Sequence, residues 1–179
     1  RTYHVGASDG ATDYANLDTT DAFSDSATIF NDTMPTSSVY TVSTDSGING
    51  SSETYVTYLF TGKQGYSKFS KYTGNGNADG PFIYTGFRPA WLLLKKSSAS
   101  GNTWQIFDNK RDTGNPLDNT LETTNSAEAT GTDRLDFTAQ GFKIRTSGSA
   151  QNASGATFVY AAFAEQPFVN SSGVPANAR

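Results

Sequence analysis

The sequence predicts an all-β protein, an antiparallel β-sandwich or jelly-roll-like body. Three observations predict it. Aromatic residues make up 13% of the chain (twelve Phe, nine Tyr and two Trp), while hydrophobic residues as a whole reach only 35%. Many aromatics, few aliphatics and abundant Ser, Thr, Asn and Gly suit strands joined by many turns. Helical periodicity is nearly absent, and the one helix-compatible stretch, Thr19 to Ile29, lacks an apolar stripe of useful length. Short apolar runs alternate instead with turn-forming clusters, the spacing expected of a sandwich.

In chain order, Tyr55 to Phe60 is apolar on both faces apart from Thr57 and reads as a central strand covered on each side. Gly74 to Pro81 is the densest turn cluster. Trp91 to Leu94 is a continuous apolar run ending in Lys95-Lys96, a buried strand that should emerge into solvent there. Ser97 to Asn102 should close a hairpin onto a strand from Trp104 to Phe107. Asp108 to Asn119 and Thr146 to Ala156 read as polar loops. Phe142-Lys143-Ile144-Arg145 alternates, which points Phe142 and Ile144 inward. Thr157 to Phe163 is a second central strand, and the tail from Val169 to Arg179 should lie on the surface or reach a partner.

The chain also repeats itself. Asn49 to Phe60 aligns without a gap to Asn152 to Phe163, and five of the twelve positions are identical. Leu17-Asp18-Thr19-Thr20-Asp21 matches Leu121-Glu122-Thr123-Thr124-Asn125 in nearly the same register. Two tandem copies of one β pattern are therefore expected. Residues 1–64 would be the C-terminal part of the first, residues 65–168 the complete second, and residues 169–179 a polar tail, with the boundary near Gly62 to Gly65. Trp104 of the second copy aligns with Arg1, so Tyr84 to Lys96 has no counterpart in the first. On this reading the chain is the C-terminal part of a longer polypeptide or a processed product, and a neighbouring subunit could supply the missing strand.

Composition narrows the function. Charged residues are 17% of the chain and the formal net charge is −4, with Lys95-Lys96 and Lys110-Arg111 as the only close basic pairs, a poor match to phosphate-backbone binding. No run of about 18 apolar residues is present to span a membrane. With no cysteine, disulfides, Cys-zinc sites and thiol catalysis are excluded. Four sequons, at Asn31, Asn49, Asn152 and Asn170, read as chance matches in a chain this rich in Asn and Ser.

Candidate chemistry is thin. His4 is the only histidine and falls where the second copy carries Phe107 or Asp108, so it reads as structural or exposed rather than a general base. Asp108, Asp112, Asp118, Asp133 and Asp136 could supply a glycosidase carboxylate pair, but read better as loop acids. Asn75 to Gly80 resembles the first half of a calcium loop, yet Gly86 stands where the closing glutamate belongs, and turn chemistry accounts for the same residues. Trp104 followed by Asp108 and Arg111 could stack and clamp a ligand; a core Trp and an Asx-turn or ion pair is the better reading. Tyr66, Tyr72 and Tyr84 could stack on sugar rings. No catalytic, cofactor-binding or metal-binding residue is assigned, and no ligand-binding residue is identified.

Several runs resemble a domain of tailed-phage structural proteins, especially tail-fibre-like proteins of marine phages. They are Lys71 to Pro81, Gly86 to Trp91, Gly141 to Thr146, Asn152 to Gly155, Tyr160 to Phe168 and the closing Ala178-Arg179. The resemblance covers about Tyr66 to Arg179 well and the first copy more loosely. It implies a non-enzymatic virion protein on a tail or other surface appendage. Such a module would assemble with other virion proteins and with copies of itself, as a trimer or another oligomer, and would contact a host-surface glycan. The alternative is a glycan-binding module of an extracellular adhesin or secreted protein. A glycoside hydrolase is the third reading.

Overall fold

The computed structural model describes residues 2–3, 13–126, 128–129, 131 and 134–166. His4, Asp133, Asn170 and the tail expected from Val169 to Arg179 lie outside the described residues. The fold is all-β and its sheets are antiparallel. The chain runs β1 (Thr2–Tyr3), β2 (Asp13–Asn16), β3 (Ser24–Asp25), α1 (Ala27–Phe30), α2 (Ser46–Asn49), β4 (Ser67–Thr73), β5 (Phe82–Tyr84), β6 (Pro89–Lys96), β7 (Gln105–Asp108), β8 (Thr120–Glu122), β9 (Glu128–Ala129), β10 (Leu135–Thr138), β11 (Gly141–Ile144), α3 (Ser149–Asn152) and β12 (Thr157–Ala164).

The described strands form three sheets. The largest has the order β4-β12-β6-β7-β8-β9, a smaller one β10-β11-β5, and the N-terminal meander β1-β2-β3. The last strand, β12, is thus the second of the main sheet, bonded to β4 on one side and β6 on the other. Its residues are apolar on both faces because both faces are covered. Phe158, Tyr160 and Ala162 meet Tyr72, Leu92, Leu94 and Phe107 of their own sheet and Ile83, Leu135, Phe137, Phe142 and Ile144 of the small one. Val159 and Ala161 turn the other way, to Leu93 and Trp104, where Ala15, Leu17 and Phe23 from the N-terminal meander close the back face. The two alanines stand opposite Leu92 and Leu93, so small and large side chains alternate across the pair. Each fully buried Leu or Phe contributes about 1.5–3 kcal/mol relative to exposure.

The small sheet keeps the alternation read from the sequence: Phe142 and Ile144 are fully buried and Lys143 is not. The hairpin from Ser97 to Asn102 joins β6 to β7 as expected. The polar loop after β11 holds a turn of helix, α3, whose Asn152 is completely buried. The Asn152 amide nitrogen donates to Asn75 Oδ1 (2.9 Å), the Asn77 carbonyl (2.7 Å) and the Thr146 carbonyl (2.8 Å), while its oxygen accepts from the Asn75 N–H (2.8 Å). The turn cluster after β4 is docked there through its backbone. A Cβ on Gly74 would stand 2.3 Å from the Ala153 carbonyl oxygen, so only glycine lets the two loops approach this closely.

Three expectations are overturned. Tyr55 to Phe60 is not a strand, and Val56, Tyr58, Leu59 and Phe60 are 79%, 80%, 71% and 61% exposed. Period and polarity match β12, but no described strand lies alongside to complete a ladder. Lys95 does not emerge into solvent: it is fully buried on the back face, where its ammonium donates to the Asn102 carbonyl across the hairpin. Tyr72 is buried rather than available for stacking, and its hydroxyl donates to the Gln151 carbonyl.

Candidate functional site

Three of the acids singled out for catalysis, Asp108, Asp112 and Asp136, are held in structural roles, while a buried Oδ1 of Asp118 has no hydrogen-bond partner among the described residues. Asp108 accepts from the N–H groups of Lys110 (3.0 Å) and Arg111 (2.8 Å) through one oxygen and pairs with the Arg111 guanidinium (2.8 Å) through the other. That is an Asx-turn closed by an ion pair, and it fixes the loop after β7. Asp112 accepts from the N–H groups of Asp118 and Asn119 and from the Asn119 amide. Asp136 pairs with Arg145 at 3.3 Å. Trp104 is buried, and its indole N–H donates to the Asn16 carbonyl at 3.0 Å, tying the N-terminal meander to the main sheet.

The turn from Asn75 to Gly80 is saturated from within. Asn75 Oδ1 accepts from the Asn77 N–H and from Asn152, and Asn77 Oδ1 accepts from the Asp79 N–H, all at 2.9 Å. The Lys143 ammonium sits 2.6 Å from Asp79 Oδ1. Its hydrogen bond and charge, with a smaller effect from Arg145, hold the Asp79 carboxyl below its ordinary range. Asn75 Oδ1, Asn77 Oδ1 and Asp79 Oδ1 thus all accept hydrogen bonds. Among the described residues, no group of three or more His, Cys, Asp or Glu side chains is placed to hold a metal ion.

What faces outward is aromatic. On β5, Ile83 is buried while Phe82 and Tyr84 are exposed. Phe82 stands opposite Lys143, which stands opposite Asp136, so one row across the small sheet runs aromatic, cation, carboxylate. Lys68 from β4 lies 5.3 Å from the Tyr84 ring centroid and donates to the Tyr84 carbonyl at 2.7 Å, bracing the ring from the neighbouring sheet. Ala78, Asp79, Pro116, Asp136 and Arg145 line an open depression on the same molecule. Phe82 was not singled out from sequence; the period-2 phase of β5, with Ile83 inward, is the signal that exposes it.

A second apolar surface lies at the end of the main sheet. Tyr66 and Phe60 meet the Phe163 ring edge-on, at 6.1 and 5.8 Å between centroids, and Phe69 and Trp91 adjoin it. The exposed run Val56 to Phe60 leads into this cluster.

Of the four sequons, Asn152 is sealed in the core and can carry no glycan in the folded chain, while Asn31 and Asn49 are exposed. Among the described residues, no helix is long and apolar enough to cross a membrane.

Fold and surface together define an all-β module of two packed sheets with a β-meander over its back. The chain belongs to the family described as a domain of unknown function, DUF7483, matched over residues 1–167. That span crosses the boundary expected near Gly62 to Gly65. No curated protein and no solved structure matches the chain.

Proposed function

We propose that the chain is a non-enzymatic structural module of a virion appendage, such as a phage tail fibre or spike, that contributes to assembly and host-surface attachment. The observation that carries the assembly role is the exposed run Val56 to Phe60 beside the Tyr66 and Phe163 rings. An apolar stretch of this kind marks a contact surface. The virion setting rests on the resemblance of the runs from Lys71 to Phe168 to phage structural proteins. Weak contacts suit such a module, because many copies on one particle raise avidity without a tight single site. Mass spectrometry of purified particles, with antibody labelling of their surface, tests the reading. Stoichiometric recovery of the chain on an external appendage supports it; its absence from intact particles overturns it.

The second reading is a glycan-binding module of an extracellular adhesin or secreted protein. Phe82 and Tyr84, braced by Lys68 and flanked by Lys143 and Asp136, favour it, since a flat ring beside fixed charges suits a sugar. A glycan array with the isolated chain separates the two. Binding that is lost in Tyr84→Ala and Phe82→Ala, and kept in Leu59→Ala, favours the lectin. Trp104→Ala is a poor probe of this, because Trp104 is buried and anchors the N-terminal meander.

A further inference from the structure

The exposed run from Val56 to Phe60 lies at the centre of a stretch that is symmetric in its chemistry. From Thr54 to Gly62 the chain holds no charged residue, and Glu53 and Lys63 bound that run at equal distances from Tyr58. Val56 and Phe60 are also equidistant from Tyr58, as are Thr57 and Leu59. Every residue from Ser51 to Gln64 is exposed, and among the described residues neither Glu53 nor Lys63 is in an ion pair. Among the described residues, no backbone N–H or carbonyl from Thr54 to Phe60 makes a hydrogen bond, so the run offers open ladder positions as well as apolar side chains. Both ends are nevertheless held. The Tyr55 hydroxyl accepts from the Gly50 N–H (2.7 Å) and donates to the Ser46 carbonyl (2.6 Å). The Ser67 hydroxyl donates to the Thr61 carbonyl (2.7 Å), and the Lys63 N–H donates to the Ser67 carbonyl (3.0 Å). A segment fixed in this way loses less freedom on pairing.

Such a stretch is complementary to itself when reversed. Laid antiparallel on its own copy about a two-fold axis at Tyr58, it sets Glu53 opposite Lys63 at both ends. Between them Val56 faces Phe60, Thr57 faces Leu59 and Tyr55 faces Thr61, combinations of aromatic, aliphatic and β-branched residues that stabilise a ladder. Parallel pairing in register would instead set Glu53 on Glu53 and Lys63 on Lys63. The area agrees with a pair of copies. An aromatic side chain has about 150–250 Å² to bury, so the partly exposed rings of Tyr55, Tyr58, Phe60 and Tyr66 together offer roughly 350–550 Å². With Val56, Leu59 and the polar rim, the patch approaches the ~800 Å² that each partner of a standard interface buries.

We propose that Glu53 to Lys63 is a homodimer interface, an antiparallel two-stranded ladder between two copies of this chain centred on Tyr58. The contact is isologous, the same surface on both copies. Val56, Tyr58 and Phe60 form one face of the ladder, and Phe60 joins that face to the rings of Phe69 and Phe163. The apolar centre supplies the binding, while the two Glu53–Lys63 pairs set direction and register. This rests on the reading of the run as an assembly surface and names its partner; it does not need the virion setting.

Sedimentation velocity of the full 179-residue chain over a range of concentrations, with hydrogen exchange at both extremes, tests this. A dimer that dissociates on dilution is expected, with alternate amides between Thr54 and Thr61 exchanging at least about tenfold more slowly in it. Glu53→Lys and Lys63→Glu each set like charges against one another at both ends, and each should weaken the dimer at least about tenfold. Mixed in equal amounts, the two variants should recover a dimer with one copy of each, because opposite charges then meet at both ends. A merely structural role of either residue would not produce that recovery. Tyr58→Glu, at an exposed position, should abolish the dimer and leave the unfolding midpoint unchanged. A chain that stays monomeric up to about 1 mM, a dimer indifferent to the single variants, or a mixture that recovers nothing overturns the proposal. A monomeric chain that is recovered on particles, but lost from them as Tyr58→Glu, gives the surface to a different virion protein: the second copy is then wrong and the assembly reading stands. A dimer formed by a chain absent from particles upholds the interface and overturns the virion setting instead.

Discussion

The Lys95 ammonium donates to the Asn102 carbonyl from a fully buried position on the back face of the main sheet. Burial disfavours its charged form and brings its pKa from 10.5 down to about 8, with Lys96 adding to the effect and Asp21 opposing it. In the unfolded chain the lysine stays protonated to about its ordinary value. Between pH 8 and 10, therefore, the unfolded state binds more protons, and stability should rise with pH. Above about pH 10 the buried Tyr72 and Tyr160 reverse the trend. Burial raises both hydroxyls, Tyr160 to about 12, so they ionise first in the unfolded chain. Chemical denaturation across pH 7 to 10 measures this, and Lys95→Met should remove the rise between 8 and 10.

Asn152 joins its own loop, at Thr146, to the turn of Asn75 and Asn77, more than 70 residues away, through four hydrogen bonds. Asn152→Ala would leave the Asn75 N–H and two carbonyls short of partners inside the fold. A loss of about 3 kcal/mol is expected, read from urea unfolding. Asn152→Asp should not rescue it, because the carboxylate keeps the acceptor but loses the donors.

Gly74 faces the Ala153 carbonyl across a gap with no room for a Cβ. Gly74→Ala should destabilise by about 2 kcal/mol or more and loosen the turn cluster from α3. Unfolding midpoints, together with hydrogen exchange at Asn75 and Gly76, would show both effects. The same change at Gly114, which has nothing within 4 Å of its would-be Cβ, should cost far less.

Trp104 fills the back face and bonds to Asn16. Trp104→Ala should cost about 3–5 kcal/mol, as large aromatic deletions in a core do. The meander should also detach before the main sheet melts. Limited proteolysis between Asp13 and Asp25 at denaturant levels that leave β12 protected is the expected signature; simultaneous loss of both would contradict it.

How much of this was legible depended on whether the deciding interaction was local. Phe142 and Ile144 alternate with polar neighbours and were read correctly. So was Thr157 to Phe163, whose two apolar faces announce a strand covered on each side. Tyr55 to Phe60 carries the same message, yet a strand exists only where partners flank it, and a one-dimensional pattern does not say whether they are present. Tyr72 could not be told from Tyr66 and Tyr84, because its inward phase is set by the register Phe158↔Tyr72 with a strand 86 residues further on. Lys95 misled for a related reason: its charge reads as a strand leaving the core, while the hairpin folds back and offers the Asn102 carbonyl. The acids of the loop after β7 and the Asn75 turn were legible as turn chemistry, because their bonds run two to seven residues along the chain. The outward row of Phe82, Lys143 and Asp136 was not, since it spans three strands.

The position of β12 has a consequence for synthesis. The strand that bonds to both β4 and β6 leaves the ribosome after both of them, so until it arrives the main sheet is split between its first and third strands. Contacts this distant in sequence form slowly. A nascent chain halted before Thr157 should therefore hold β6, β7 and β8 as an open fragment with its apolar faces bare, a natural substrate for chaperones.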